Sequence, residues 1–139
     1  MRQYQTVLSV ETTPSEFFDI THAVNRSIWE SGIRKGILTL FIQHTSASLT
    51  IQENADPAVL KDLNAFFERS VPKDNSLYTH TFEGKDDMPA HIRSVLTNVS
   101  LSIPVYEGRM ALGSWQAVYI CEHREEKHIR NVILHLIGE

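Results

Sequence analysis

The sequence predicts a single α+β domain over residues 1–139, an α/β sandwich whose mixed sheet is largely antiparallel. Three observations carry this. A chain of 139 residues can bury about 70% of its unfolded surface in one core and needs no disulfide or structural metal to fold. Segments of strand period and of helix period follow in the order β-α-β-β-α-α-β-β-β, with strands bunched rather than each followed by a helix. No internal repeat and no interdomain linker interrupts that order.

Residues 3–10 (QYQTVLSV) alternate, placing Tyr4, Thr6, Leu8 and Val10 on one side of a strand. Thr12, Thr13, Pro14 and Ser15 mark a turn. From Asp19 or Thr21 to Glu30, the residues Ile20, Val24 and Ile28 recur at helical spacing, and Ser31-Gly32 closes the helix. Residues 33–43 (IRKGILTLFIQ) read as a long strand, and 47–52 as a shorter one with Leu49 and Ile51 inward.

Asp56-Pro57 opens a second helix, because Asp accepts from free backbone N–H groups and Pro loses nothing at the first helical position. Val59, Leu60, Leu63, Phe66 and Phe67 share one face of it, and Val71-Pro72 ends it. Residues 72–86 (PKDNSLYTHTFEGKD) read as a loop with room for a short strand around Tyr78. Asp87, Met88 and Pro89 open a third helix, with Met88, Ile92, Val95 and Leu96 on its inner face. Strands are expected at 99–106, 114–122 and 128–137, with Gly108 and Gly113 between the first two. The last (HIRNVILHLIG) is apolar on both faces, Val132, Leu134 and Leu136 on one and Ile133 and Ile137 on the other. It therefore calls for cover from a helix layer and from a neighbouring subunit.

Composition narrows the function classes. With 42% hydrophobic, 22% charged and 9% aromatic residues the chain is globular rather than disordered, collagenous or coiled-coil. Thirteen basic residues stand against 17 acidic ones, a net charge of −4, with no run of five like charges. That speaks against nucleic acid as a partner, since phosphate binding is built on clustered Lys and Arg. The single Cys121 cannot form an internal disulfide, and MRQYQTVLS lacks the features of a signal peptide. No apolar run approaches the roughly 20 residues of a spanning helix. The expectation is a cytoplasmic protein without a membrane partner.

The chemistry-bearing residues gather around FIQHTSASLTIQENADP, residues 41–57. Of seven histidines, His22, His128 and His135 read as ordinary surface or strand residues, which leaves His44, His80, His91 and His123. His44 ends a strand in register with Leu38, Leu40 and Ile42, at a sheet rim, where it is either a site residue or a strand-end histidine bonded to a loop carbonyl. Asp56 caps a helix, and Glu53 and Asn54 precede the same N-terminus, where the dipole favours an anion.

Asp87 has the same place at the third helix, and His91 lies one turn further on the same side. Such a pair can hold a metal, or the carboxylate can orient the imidazole for proton transfer. Alternatively His91 edges the apolar face between Met88 and Val95. In Glu122-His123-Arg124 the alternation puts His123 on the face of Trp115 and Tyr119, as a ligand or as a semi-buried aromatic neighbour. No Gly-x-Gly-x-x-Gly, Walker loop, His-Glu-x-x-His, Cys-x-x-Cys or Gly-x-Ser-x-Gly is present. Ser46 and Ser48 therefore read as hydrogen-bonding groups rather than nucleophiles, and Cys121 as core.

The blocks QHTSASL (43–49), ENADP (53–57), YTHTFEGKDDMPAHI (78–92), GSWQ (113–116) and EHR (122–124), in this order, resemble the YjbQ family, also called secondary thiamine-phosphate synthases. The resemblance implies a small α/β-sandwich subunit that assembles as a homotrimer, with its polar blocks meeting in a pocket near a subunit boundary. It implies His44, Asp87, His91 and His123 as catalytic residues, with His44, His91 and His123 as metal ligands. Ser46, Ser48, Glu53, Asn54, Asp56, His80, Gln116, Glu122 and Arg124 become the substrate contacts. Thr81 stands where the family commonly has Asp or Asn.

The implied activity joins hydroxymethylpyrimidine pyrophosphate to a thiazole phosphate, forming thiamine phosphate and releasing pyrophosphate. Such a site needs a divalent cation or Arg against the departing pyrophosphate, and aromatic or polar groups such as Trp115 and Tyr119 against the flat pyrimidine. Oxygen donors would suit Mg²⁺ and the histidines Zn²⁺, so the metal stays open. Two alternatives stand beside the synthase: a metal-dependent hydrolase of a small phosphorylated substrate, and a trimer that binds such a metabolite without turnover.

Overall fold

Alternating strands with one apolar side must pair and close over that side, and they do so here in two layers. In a computed structural model the described residues are 1–12 and 17–139. The turn expected from Thr12 to Ser15 falls outside them beyond Thr12. The elements are β1 (Arg2–Thr12), β2 (Phe17–Asp19), α1 (Thr21–Ser31), β3 (Gly36–Ile42), β4 (Ala47–Glu53), α2 (Pro57–Ser70), α3 (Asp87–Leu96), β5 (Ser100–Tyr106), β6 (Arg109–Met110), β7 (Gln116–Glu122) and β8 (His128–Gly138). Among the described residues, no helix is long and apolar enough to cross a membrane.

The α+β class stands, and its sheet is divided in two. One sheet has the order β1-β8-β3-β5-β6 and the other β2-β7-β4, and every pairing is antiparallel. β8 runs between β1 and β3, so Leu8, Val132 and Ile42 fall in one row and Leu134 lies beside Leu40. The inner faces meet in a core that includes Val24, Ile28, Leu38, Leu40, Leu49, Ile120, Val132, Leu134 and Leu136, none of them exposed. Each such side chain stabilises the fold by about 1.5–3 kcal/mol.

α1 packs as its spacing predicts, with Ile20, Val24 and Ile28 in the core, and ends at Gly32, whose φ of 75° suits glycine. α2 starts as expected, Pro57 following Asp56, whose carboxylate accepts the Ala58 N–H at 2.9 Å. Its apolar face is not buried, however. Phe66 is 52% exposed, and no residue of the helix is fully covered.

α3 departs from expectation more sharply. Of the face expected inward, Met88 and Ile92 are half-buried and Val95 and Leu96 are 82% and 61% exposed, while Asp87, Pro89, Ala90 and Arg93 are buried. Polar anchors set its roll: Asp87 pairs with Arg124, and Arg93 donates to the Val71 carbonyl at 3.1 Å. The strand expected around Tyr78 is absent. A 3-10 turn at Asn75–Leu77 precedes Tyr78 instead, capped by Asp74, and the Tyr78 hydroxyl donates to the Pro72 carbonyl.

β4 and β7 form the platform beneath α3. They pair from Ala47 opposite Glu122 at one end to Glu53 opposite Gln116 at the other. α3 stands over the Ala47 end, where Ser94 Oγ donates to the Ala47 carbonyl and Thr97 Oγ1 bonds Ser48 Oγ.

Candidate functional site

Asp87 opens α3 with its side chain 3% exposed, and three side chains converge on it. His80, carried in by the loop before the helix, has Nε2 2.7 Å from Oδ2, and His91, one turn along α3, has Nε2 3.2 Å from the same oxygen. Arg124, just after β7, donates from Nη1 to Oδ1 at 2.8 Å. The two imidazoles meet edge to face, with centroids 5.4 Å apart. Burial alone would raise the Asp87 carboxyl, but the His80 bond and the His91 and Arg124 charges outweigh it and hold its pKa below the usual carboxylate value.

The proton on His91 is placed by the ring's other contact. Nδ1 lies 3.0 Å from the Thr45 carbonyl, which can only accept, so Nδ1 carries hydrogen. In the neutral ring the Nε2 lone pair then faces a carboxylate oxygen, and either a proton on Nε2 or a cation held by both atoms satisfies the pair. A backbone carbonyl that takes one ring N–H and leaves the other nitrogen to ligate is the usual second contact of a metal-bound histidine.

One ligand atom each from His80, Asp87 and His91 lies within 4.8 Å of the others. Two imidazole nitrogens and one carboxylate oxygen suit Zn²⁺ or a similar borderline cation better than Mg²⁺, and three protein donors leave a coordination position open. A cation there would take the place of the hydrogen that His80 Nε2 now directs at Asp87.

The other expected ligands are engaged elsewhere. His44 Nε2 accepts the backbone N–H of Asn131 at 2.8 Å, and Arg130 Nη1 lies 3.4 Å from Nδ1. Burial, then the Arg130 charge, lower its pKa. His123 is 6% exposed, its Nε2 2.8 Å from Ser48 Oγ, which also bonds Thr97 Oγ1 at 2.6 Å. Burial first, then Arg93, push its pKa down to about 4. Among the described residues, the groups that gather around His91 are His80 and Asp87, while His44 and His123 bond to other partners. His44 and His91 do share a cleft of about 490 Å³ with Thr45, Ser48 and Thr97, its apolar lining coming from Ala47, Val95 and Val99.

Among the expected substrate contacts, Glu122 has no exposed side-chain surface. It is bonded by Arg130 at 2.5 and 2.8 Å and by Thr12 at 2.5 Å. It braces the two sheets and has no surface to offer a ligand. Ser46 Oγ accepts from Arg130 Nη2 at 3.1 Å. Arg130, which joins all these groups, is not among the residues expected at the site. Its signal in the sequence is a charged residue in inward register with Val132, Leu134 and Leu136.

Glu53, Asn54, Asp56 and Gln116 lie at the opposite end of the β4–β7 pair, six steps along the strand from Ala47. At the usual rise that is about 20 Å. Asp56 serves as the α2 cap, the Asn54 N–H donates to the Trp115 carbonyl, and Gln116 Oε1 accepts from the Gly113 N–H. One subunit does not bring them to His80, Asp87 and His91.

Fold and cluster together define the class: a small α+β sandwich of two antiparallel sheets, with a His-Asp-His donor set where a loop runs into a helix. The chain belongs to the YjbQ/UPF0047 family, matching over residues 6–139 the family described as UPF0047 protein YjbQ-like. It is 49% identical to the UPF0047 protein sll1880 of Synechocystis over 138 residues, covering 99% of this chain and 94% of that one. Against the YjbQ protein of Escherichia coli O157:H7 the identity is 42%, covering 98% and 99%. A crystal structure of a YjbQ/UPF0047 family protein from Clostridium acetobutylicum superposes with a TM-score of 0.85 at 33% identity, covering 95% of this chain and 99% of that one. Family membership carries the fold and states no reaction.

Proposed function

We propose that this protein is a metal-dependent hydrolase of a small phosphorylated substrate, with His80, Asp87 and His91 as the cation's ligands. The observation that carries the proposal is His91, whose Nδ1 bond to the Thr45 carbonyl leaves Nε2 aimed at Asp87. A borderline divalent cation supplies Lewis acidity toward a phosphoryl oxygen and makes a water acidic enough to react near neutral pH. The chain's own residues hold that cation and shape the ground beside it. The N-terminus of α3 favours the ionised form of Asp87, which lies in its first turn. The neighbouring cleft, with Val99, Ser48 and Thr97 among its lining residues, would receive the rest of the substrate.

The synthase reaction uses the same cation chemistry but also requires a group to hold a flat pyrimidine. Tyr119 is 5% exposed and turned edge-on to Phe17, and Trp115 precedes the end of β7 remote from the cluster. Within one chain neither stands beside the cluster, and hydrolysis, which needs no such group, is the reaction we propose. We also propose that the chain acts in the cytoplasm as a homotrimer. Val7, Ile37, Phe41 and Ile137, each 41–50% exposed, crowd the outer face of the five-stranded sheet, where a second copy would cover them.

The test is metal content of untagged protein, with phosphate release from phosphate monoesters and pyrophosphate release from the two thiamine precursors, each before and after chelation. Chelator-sensitive phosphate release is expected. Chelator-sensitive pyrophosphate release would instead establish the synthase, and bound metal without turnover the binding trimer. Absence of metal affinity would overturn the proposal.

A further inference from the structure

We infer that Arg124 is a positioning residue of this centre: by occupying Oδ1 of Asp87, it restricts the carboxylate to one metal-binding oxygen and keeps a coordination position open. The inference rests on the proposed metal site and goes beyond it, to what sets the coordination number.

Arg124 uses every edge of its guanidinium. Nε donates to Asp86 Oδ2 at 3.0 Å, Nη1 to Asp87 Oδ1 at 2.8 Å and Nη2 to the Glu83 carbonyl at 3.0 Å. Asp86 Oδ2 also accepts the Glu125 N–H at 2.8 Å, so the residue that orients Arg124 is fixed in turn. Gly84, at φ 112° where other side chains are strained, lets the loop turn between Glu83 and Asp86. The Arg124 side chain is 12% exposed, and its planar, pre-shaped fork suits this double carboxylate contact in a way that Lys cannot reproduce.

Three of the five N–H donors of Arg124 are engaged in this way; the resemblance places Arg124 among the substrate contacts, and its bond to Asp87 gives it the positioning role inferred here. More important is the asymmetry it imposes on Asp87. The Oδ1 atom is held by the guanidinium, and Oδ2 faces His80 and His91. A free aspartate can chelate through both oxygens and fill a position that a reacting water or substrate needs. With one oxygen capped, three single-atom donors surround the cation and the fourth place stays available.

A purely structural Arg124 would tie the end of β7 to the start of α3, and its loss would lower stability without touching coordination. The experiment separates the two roles. Chelator-treated full-length protein is titrated with Zn²⁺ and with Co²⁺, whose visible absorption reports coordination number, and unfolding in chelator is measured alongside. In Arg124→Gln, Zn²⁺ affinity is expected to fall about 10–100-fold, as for other residues that orient metal ligands. Its Co²⁺ band should weaken as Asp87 chelates, and Arg124→Lys should restore neither property fully. Asp86→Asn, which loosens the guanidinium without removing it, should shift both readouts in the same direction by less, and serves if Arg124→Gln does not fold.

Wild-type affinity and an unchanged Co²⁺ spectrum in these variants would overturn the inference, whatever happens to stability. Wild-type protein that binds neither ion would overturn the metal site itself.

Discussion

At the scale of single residues, the histidines of this chain divide by what their ring nitrogens touch. His91 is fixed by a carbonyl and points at a carboxylate, whereas His123 is buried against Ser48. A buried neutral histidine makes stability depend on pH. The His123 pKa is pushed from 6.5 in the unfolded chain to about 4 in the fold, chiefly by burial. Between those values the unfolded chain binds a proton that the native state refuses, so stability rises with pH and is lost on acidification from 6.5 towards 4. For this group alone the loss from pH 7 to pH 5 is about 2 kcal/mol. Denaturant unfolding in chelator at the two pH values should show it, and His123→Gln should reduce the difference. An equal loss in the variant would remove His123 as its cause.

At the scale of elements, legibility in the sequence tracks apolar periodicity. β1, α1 and the inner face of β8 are legible because Tyr4, Leu8, Val24, Ile28, Val132 and Leu134 repeat at strand or helix spacing and face one core. The orientation of α3 is not, because buried polar residues, Asp87 and Arg93, set its roll, and apolar spacing carries no information about them. β2 and β6, of three and two residues, are too short to show a period, and the division into two sheets depends on partners far apart in the chain.

The site is legible to the same degree. Asp87 and His91 stand out as a helical pair, but His80 joins them through loop closure, and the groups that hold His44 and His123 lie 87 and 75 residues away. Asp56, expected at the substrate, is best tested as the cap it forms with Ala58. Asp56→Ala should cost about 1 kcal/mol of stability and leave Zn²⁺ affinity unchanged, and a fall in affinity would return Asp56 to the site.

At the scale of the whole molecule, two features bear on the proposed homotrimer. The five-stranded sheet carries an apolar outer face, and Glu53, Asn54 and Gln116 stand far from the histidine cluster of their own chain. Assembly of three copies would cover the first, and Phe41→Asp, placing a charge at a 43% exposed position on that face, should give monomers by sedimentation while the isolated chain stays folded. A variant that remains trimeric would move the interface elsewhere. The central claim, that His80, Asp87 and His91 form a metal centre, is tested most directly by Zn²⁺ stoichiometry and affinity in wild-type protein, His91→Ala and His44→Ala. One ion per chain is predicted for wild type and for His44→Ala, with binding lost in His91→Ala. Binding retained in His91→Ala, or lost equally in His44→Ala, would contradict it.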